Sequence, residues 1–321
     1  MSAECWAGLK SHAPCRWAPF KAHGLIASRF VARGLVAACL IGLPSLPPAF
    51  SQAFKPQLGC LGDNRYPSRP IRVSVVPQRP PAETFAAWSP LLQQLGLASR
   101  QCFVLRVAPT IPNFEAELHT GRPDCAYMNP YHAVFAQRWR GYLPLIRDGS
   151  KPLRGLLVVR KDNPIRSIRE LNGRAVAFPS PNAFAATLLP RVLLARQGIT
   201  VQPVFETTHS NVYRSVALGR LPAGGGINTT LQRERPELRE QLRVLWQSPP
   251  FPSHPFACRA SLAKAERAAL QAGFQSLASN PANHGLLQGI LIPEPVVADY
   301  KRDYQPLQGL GLERFAVVGS D

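Results

Sequence analysis

Five short stretches gather polar side chains suited to holding a small molecule. They are VVPQRPPAE with Gln78, AYMNPYH with Tyr127 and Asn129, AFPSPNAFAAT with Ser180, Asn182 and Thr187, ETTHSNVY with His209 and Asn211, and AGGGINTT around Gly225. Phenol, amide, hydroxyl and imidazole groups supply donors and acceptors without fixed charge. Ala183, Phe184 and Ala185 open the helical pattern after SPN in a stretch of mostly small residues, and a helix start offers unpaired N–H groups to an anion or other acceptor. Asn182 as a simple N-cap is the competing reading of that stretch.

The same residues do not compose a catalytic set. The chain has no G-x-S-x-G, no H-E-x-x-H, no Cys/His pair at metal spacing and no phosphate loop with its lysine. Gly224-Gly225-Gly226 lacks G-x-G-x-x-G spacing. We therefore expect no enzyme, no metal and no cofactor, with His209 and His254 as hydrogen-bonding residues. Cys125 and His209 are the nearest candidates for the opposing, enzymatic reading.

Each stretch follows a run that reads as a strand. IRVSVV (71–76) is a β-branched run stopped by Pro77, and AETFAAWSPLLQQLGLAS then carries Phe85, Trp88, Leu91, Leu92 and Leu95 at helical spacing. CFVLRVA, PNFEAELHTGRP, DCAYMN, PYHAVFAQRWRG and YLPLIRD continue the alternation, which predicts an α/β fold with a largely parallel sheet. In such sheets ligands lie beyond the carboxyl ends of strands. After RGLLVVRKD a second α/β series begins, with a helix expected from about Asn182, and HPFACRA looks like a return to the first. Residues 54–156, 157–247 and 248–321 are thus expected to form a first lobe, a second lobe, and the return to the first with a C-terminal tail.

Residues 1–53 read as a cleavable signal peptide: basic residues from Lys10 to Arg33, an apolar stretch, and small residues at Ala49, Ser51 and Ala53. Export to the periplasm would put Cys60, Cys102, Cys125 and Cys258 in an oxidising compartment. Cys60 with Cys102 is the first expected pair, and four buried free thiols are the alternative. The net charge of +18 comes from arginines scattered among Ala, Pro and Leu, without a basic block or an aromatic-basic alternation, so no nucleic acid is expected as a partner.

VVPQ, WSPL, AYMNPYH, FPSPNAFAAT, THSNVYRSVALG, AGGGI and LWQSPPFPSHPF together resemble the phosphate, phosphite and phosphonate substrate-binding proteins of ABC transporters, over about residues 70–290. The resemblance implies a periplasmic-binding-protein type II fold, a monomer with a small-molecule ligand between two lobes, and an ABC permease or membrane sensor as partner. It implies ligand contacts from Tyr127, the turn Asn182 to Ala185, and His209. The family places a Ser-Thr-Ser cluster where this chain has Ala183, Phe184 and Ala185, so the oxygen-binding hydroxyls are missing. No carboxylate is expected for the ammonium group of an aminoalkyl phosphonate, which argues against that ligand. A vestigial cleft serving as an interaction or sensory module is the alternative.

Overall fold

The computed structural model describes residues 60–63 and 69–317, so the expected signal peptide lies outside the described residues. The strands are β1 (Leu61–Gly62), β2 (Ile71–Val75), β3 (Cys102–Val107), β4 (Cys125–Tyr127), β5 (Tyr142–Asp148), β6 (Gly155–Arg160), β7 (Ala175–Phe178), β8 (Gln202–Phe205), β9 (Gly224–Ile227), β10 (Leu242–Gln247), β11 (Pro255–Arg259) and β12 (Pro295–Val297). They form two sheets, ordered β1-β3-β2-β4-β11-β5-β12 and β10-β6-β9-β7-β8.

The sheets are mixed rather than largely parallel. Each has a parallel run, β3-β2-β4 inside one sheet with antiparallel strands on both sides, and β9-β7-β8 at the edge of the other with antiparallel strands beyond β9. The cause is the double crossing of the chain. A strand arriving from the other sheet enters at the edge where the parallel strands end, so it must run against them. That is the case for β6, whose Gly155 faces Ile227 at the end of β9, and for β11, whose Phe256 faces Tyr127 at the end of β4.

The crossing segments are tied to one another. Leu153 and Phe251 exchange backbone hydrogen bonds at 2.8 and 2.9 Å, and Gly155 N donates to Ser248 Oγ at 2.9 Å. Two α/β lobes are thus joined through one short two-stranded connection, the arrangement expected of a hinge.

Helix starts are placed by local chemistry at the strand ends. Thr110 caps the helix Ile111–Thr120, Asn129 caps Pro130–Arg140 and Thr208 caps His209–Ala217, each side chain accepting from a backbone N–H in the first turn. Gly121 and Gly141 end the first two of these helices in the left-handed region.

The helix expected from Asn182 instead begins at Phe184 with a wide π turn, Phe184–Leu188, before Leu189–Ala195. Pro190 explains part of this: it has no N–H to give the Ala186 carbonyl, so the regular ladder cannot close there.

Cys60 is joined to Cys102, and Cys125 to Cys258. The second pair is cross-strand, since Cys258 is the direct partner of Cys125 in the β11–β4 register. Peptide mapping without reduction is expected to return both linkages. Loss of the Cys125–Cys258 link by double substitution to alanine should cost about 2–4 kcal/mol, read as a lower unfolding midpoint.

Candidate ligand site between the lobes

Strand ends from both sheets meet at one place, all of them carboxyl ends except that of β11. Gln78 follows β2, Asn129 follows β4, the turn Ala183–Ala186 follows β7, His209 follows β8, Ile227 ends β9, and His254 precedes β11. These residues, with Val76 and Ile111, line a void of about 20 Å³. That is room for one water, not a tetrahedral oxyanion.

Of the residues expected to bind ligand, Gln78, Asn129, Ala183, Phe184, Ala185 and His209 line this void. Tyr127 lies one layer out, beside a second small void that Gln78 also borders. Its ring is held between Trp88, with centroids 5.1 Å apart, and His254, stacked at 5.5 Å.

The wall is built from buried neutral groups. Gln78 Nε2 lies 3.0 Å from His254 Nε2; the amide donates, so the imidazole carries its proton on Nδ1. Burial pushes the His254 imidazole down to about 3, assisted by the charges of His209 and His132. His209 is pushed down to about 4 by burial alone, and its Nδ1 lies 3.4 Å from Thr230 Oγ1.

Both histidines therefore bind fewer protons folded than unfolded, where they titrate near 6.5. Their contribution to stability is complete above pH 6.5, starts to fall below it, and is lost once the pH has dropped through about 4 for His209 and about 3 for His254. Calorimetric midpoints should accordingly decline between pH 7 and 4, and His254→Gln, whose amide cannot titrate, should flatten that slope.

Asn129 caps its helix and is also an interlobe tie, its Nδ2 donating to the Asn182 carbonyl at 3.1 Å. Nearby, His132 Nε2 donates to Glu115 Oε1 at 2.8 Å.

The other expected ligand residues lie elsewhere. Asn182 is neither a helix cap nor a wall of the void. Its amide donates to Glu115 Oε2 at 3.0 Å and to Val317 O at 2.8 Å, and accepts from Val317 N at 2.9 Å. It fastens the C-terminal tail, which Arg191 also holds by covering the Phe315 ring at 4.3 Å. Asn182→Ala should cost about 2–3 kcal/mol, for the loss of several buried hydrogen bonds, while ligand affinity changes less than tenfold. Chemical denaturation beside a ligand titration separates the two effects.

Asn211 donates to the Glu206 carbonyl at 3.0 Å and faces its own loop. The Ser180 and Thr187 hydroxyls are buried without a hydrogen-bond partner among the described residues and line none of the voids. Gly225 is a packing residue: a Cβ there would stand 2.1 Å from the Ala186 carbonyl oxygen and 2.5 Å from the Phe178 ring. Phe184 sets its ring edge-on to Phe251 of the hinge, 5.4 Å away, and so joins the cleft floor to the crossing segments.

Gln78 also borders a third and larger cavity, of about 350 Å³, that the sequence reading did not anticipate. Arg79, Arg214, Arg233 and Arg235 reach it from both lobes, with Glu83 and Glu234. Nothing in the sequence marks them, because they come from three separated segments, around Arg79, Arg214 and Arg233, and resemble the other scattered arginines.

Two α/β lobes, a paired double crossing between them, and strand ends converging on an interlobe cleft define the class of two-lobed solute-binding proteins. Residues 73–304 match the family described as ABC transporter, phosphonate, periplasmic substrate-binding protein, and the chain belongs to this family. The phosphonates-binding periplasmic protein of Escherichia coli (strain K12) is 23% identical over 220 residues, covering 63% of this chain and 64% of the relative. This chain thus spans less than two thirds of that relative's length.

Among solved structures, a binding protein component of an ABC phosphonate transporter from Pseudomonas aeruginosa aligns with a TM-score of 0.70 at 18% identity, covering 77% of this chain and 88% of that one. PhnD1 from Prochlorococcus marinus (MIT 9301), solved with methylphosphonate, gives 0.70 at 15%, covering 77% and 98%. A protein from Xanthomonas citri solved with ATP gives 0.65 at 20%, covering 77% and 98%. At these identities the likeness is one of fold. Members of the family are periplasmic binding proteins rather than enzymes.

Proposed function

We propose that this protein captures a small anionic or polar solute between its lobes, by closure about the paired crossing at Leu153 and Phe251, and makes or breaks no bond in it. One observation carries the reading: Gln78, Asn129, His209, His254 and the N–H-bearing turn at Ala183–Ala186 converge from five strand ends of two sheets on one void. Lobe opening would enlarge that void, and closure would surround the solute with fixed dipoles in place of water. Tyr127 and its stacked partner His254 would form the aromatic side of the site.

On this reading the lobes are residues 54–156 with 248–321, and 157–247. The protein is exported by a signal peptide at residues 1–53, acts as a monomer, and hands its solute to an ABC permease or presents it to a membrane sensor. The 20 Å³ volume of the inner void favours one alternative, a cleft that has lost solute binding and serves a sensory or interaction role.

The deciding experiment is mass spectrometry of small molecules released from protein purified without refolding, joined to thermal shifts with phosphate, phosphite, methylphosphonate, sulfonates and small carboxylates. A released anion and a midpoint rise of several degrees with one of these classes are expected. No released molecule and a flat panel would transfer support to the alternative. No carboxylate lines the inner void, so an aminoalkyl phosphonate seated there would leave its ammonium group unpaired. For a solute held in the inner void, titration with 2-aminoethylphosphonate is expected to give at least tenfold weaker binding than methylphosphonate.

A further inference from the structure

The turn Ala183–Ala185 beside the inner void offers no side-chain hydroxyl, yet the chain carries unspent positive charge at the cavity that shares Gln78 with that void. Arg79, on the loop after β2, and Arg233, at the end of the helix Asn228–Arg233, come from opposite lobes. Both donate to one acceptor, the Gly289 carbonyl oxygen, from Arg79 Nη2 at 3.2 Å and from Arg233 Nη1 at 3.1 Å. Neither has a carboxylate within ion-pair distance among the described residues.

Two guanidinium groups that meet on a single neutral carbonyl repel one another. Burial, reinforced by the Arg79 charge, pushes Arg233 below its ordinary value. Such a pair gains most from an acceptor with two negative charges and several oxygens, because each planar fork can then make two charge-assisted hydrogen bonds.

The pair borders the 350 Å³ cavity, whose size lies in the range of small-molecule sites. Arg214 and Arg235 outweigh nothing by themselves, but with Arg79 and Arg233 they exceed the two acids of the wall, Glu83 and Glu234. The acids are acceptors suited to hydroxyl groups. Glu234 already accepts from the Ser210 hydroxyl at 2.5 Å. Among the described residues Leu291 is the one apolar residue in its lining, so the cavity does not suit a hydrocarbon tail.

We propose that the outer cavity binds a phosphate monoester of a small hydroxylated molecule, with Arg79 and Arg233 clamping the phosphate between the lobes and Glu83 and Glu234 accepting from its hydroxyls. The proposal rests on the solute-capture reading and adds the ligand class. It also shifts the anion from the inner void, which is too small for it, to the cavity at its mouth. A clamp with one arginine from each lobe is satisfied only when the lobes are closed, so the phosphate itself would stabilise closure.

The test is calorimetric titration of the full exported chain with glycerol 3-phosphate, ribose 5-phosphate and methylphosphonate, repeated on Arg79→Gln and Arg233→Gln. Among the described residues the side-chain hydrogen bond of each arginine goes to one carbonyl and neither forms an ion pair, so the variants should keep the parent's circular dichroism and unfolding midpoint. At least one phosphate monoester is expected to bind more tightly than methylphosphonate. Either variant should weaken it by roughly 10–100-fold, the range for loss of a charge-assisted pair of hydrogen bonds. The parent's affinity should fall as salt is raised.

Binding of methylphosphonate that neither variant alters, or monoester binding indifferent to both, would leave solute capture standing and overturn the arginine clamp. Flat titrations with all three probes would overturn the clamp as well. If no small molecule is then released from the native protein, solute capture fails with it.

Discussion

Asp124→Asn should lower stability by about 3 kcal/mol, and the midpoint of thermal unfolding by roughly 6–12 °C. The Asp124 side chain is 2% exposed and sits just before β4, the strand that carries Tyr127 to the cleft. Its carboxylate accepts from Arg69 Nη2 at 2.8 Å, from Arg72 Nε at 3.0 Å and backbone N at 2.9 Å, and from Arg259 Nη2 at 2.9 Å.

Burial alone would raise this carboxyl, but the hydrogen bonds from Arg72, Arg69 and Arg259 outweigh it and hold the group well below the usual carboxylate range. An asparagine keeps the shape, loses the charge, and turns an N–H₂ towards guanidinium donors. Arg69 is 63% exposed and can turn to water, whereas Arg259 is 26% exposed and has less freedom, which sets the effect at the low end for a broken buried pair.

The pH signature distinguishes this group from the histidines. A carboxyl lowered from 3.8 contributes stability that is fully present above that value and is lost as pH falls through its depressed folded value. Asp124→Asn should therefore flatten the acid limb below about pH 4 and leave the decline between pH 7 and 4 to His209 and His254. An unchanged acid limb in the variant would remove Asp124 from this role.

The sequence made the scaffold legible where local chemistry decides it. The β-branched run at Ile71, the threonine and asparagine caps, and the glycines at 121 and 141 all act within a few residues of themselves, and each element begins and ends where they place it. The motif order also carried the family. The antiparallel flanks were not legible, because the direction of β6 and β11 follows from the double crossing and not from their own residues.

At the site, residue type without orientation was the limit. Gln78, Asn129 and His209 do face the void, but Asn182 has the same polar character and is engaged by Val317, which stands 135 residues further along the chain. Pairing of Cys125 with Cys258 was hidden for the same reason, since only the β4–β11 register brings them together. Arginines 79 and 233 gave no signal at all: their meaning lies in a shared carbonyl at Gly289 that three distant segments must fold to assemble.

Gly225→Ala should be still more damaging to function than its single added methyl group implies. The tract Gly224–Gly226 was expected within one of the five ligand-holding stretches, yet it forms the buried strand β9. A Cβ on Gly225 would lie 2.1 Å from the Ala186 carbonyl oxygen and 2.5–2.6 Å from the Phe178 ring; on Gly226 it would lie 2.2 Å from the Tyr213 hydroxyl. On the neighbouring β6, one on Gly155 would lie 2.1 Å from the Ala185 carbonyl oxygen. Two strands therefore lack side chains where the π turn rests on them.

The turn cannot retreat cheaply, because Phe184 is locked against Phe251 and the carbonyls in question are backbone. Overpacking of this kind costs about 3 kcal/mol. Its relief must displace Ala185 and Ala186, which line the inner void. Gly225→Ala is thus expected to lower the unfolding midpoint by roughly 6–12 °C and, in the folded fraction that survives, to abolish the thermal response to ligand. Gly285→Ala is the control: nothing lies within 4 Å of its Cβ position, and it sits within the helix His284–Gly289, so stability should be unchanged or rise by about 0.4–1 kcal/mol. A Gly225→Ala protein with parental stability and an intact ligand response would mean that the π turn is free to move, and that the inner void does not depend on where β9 holds it.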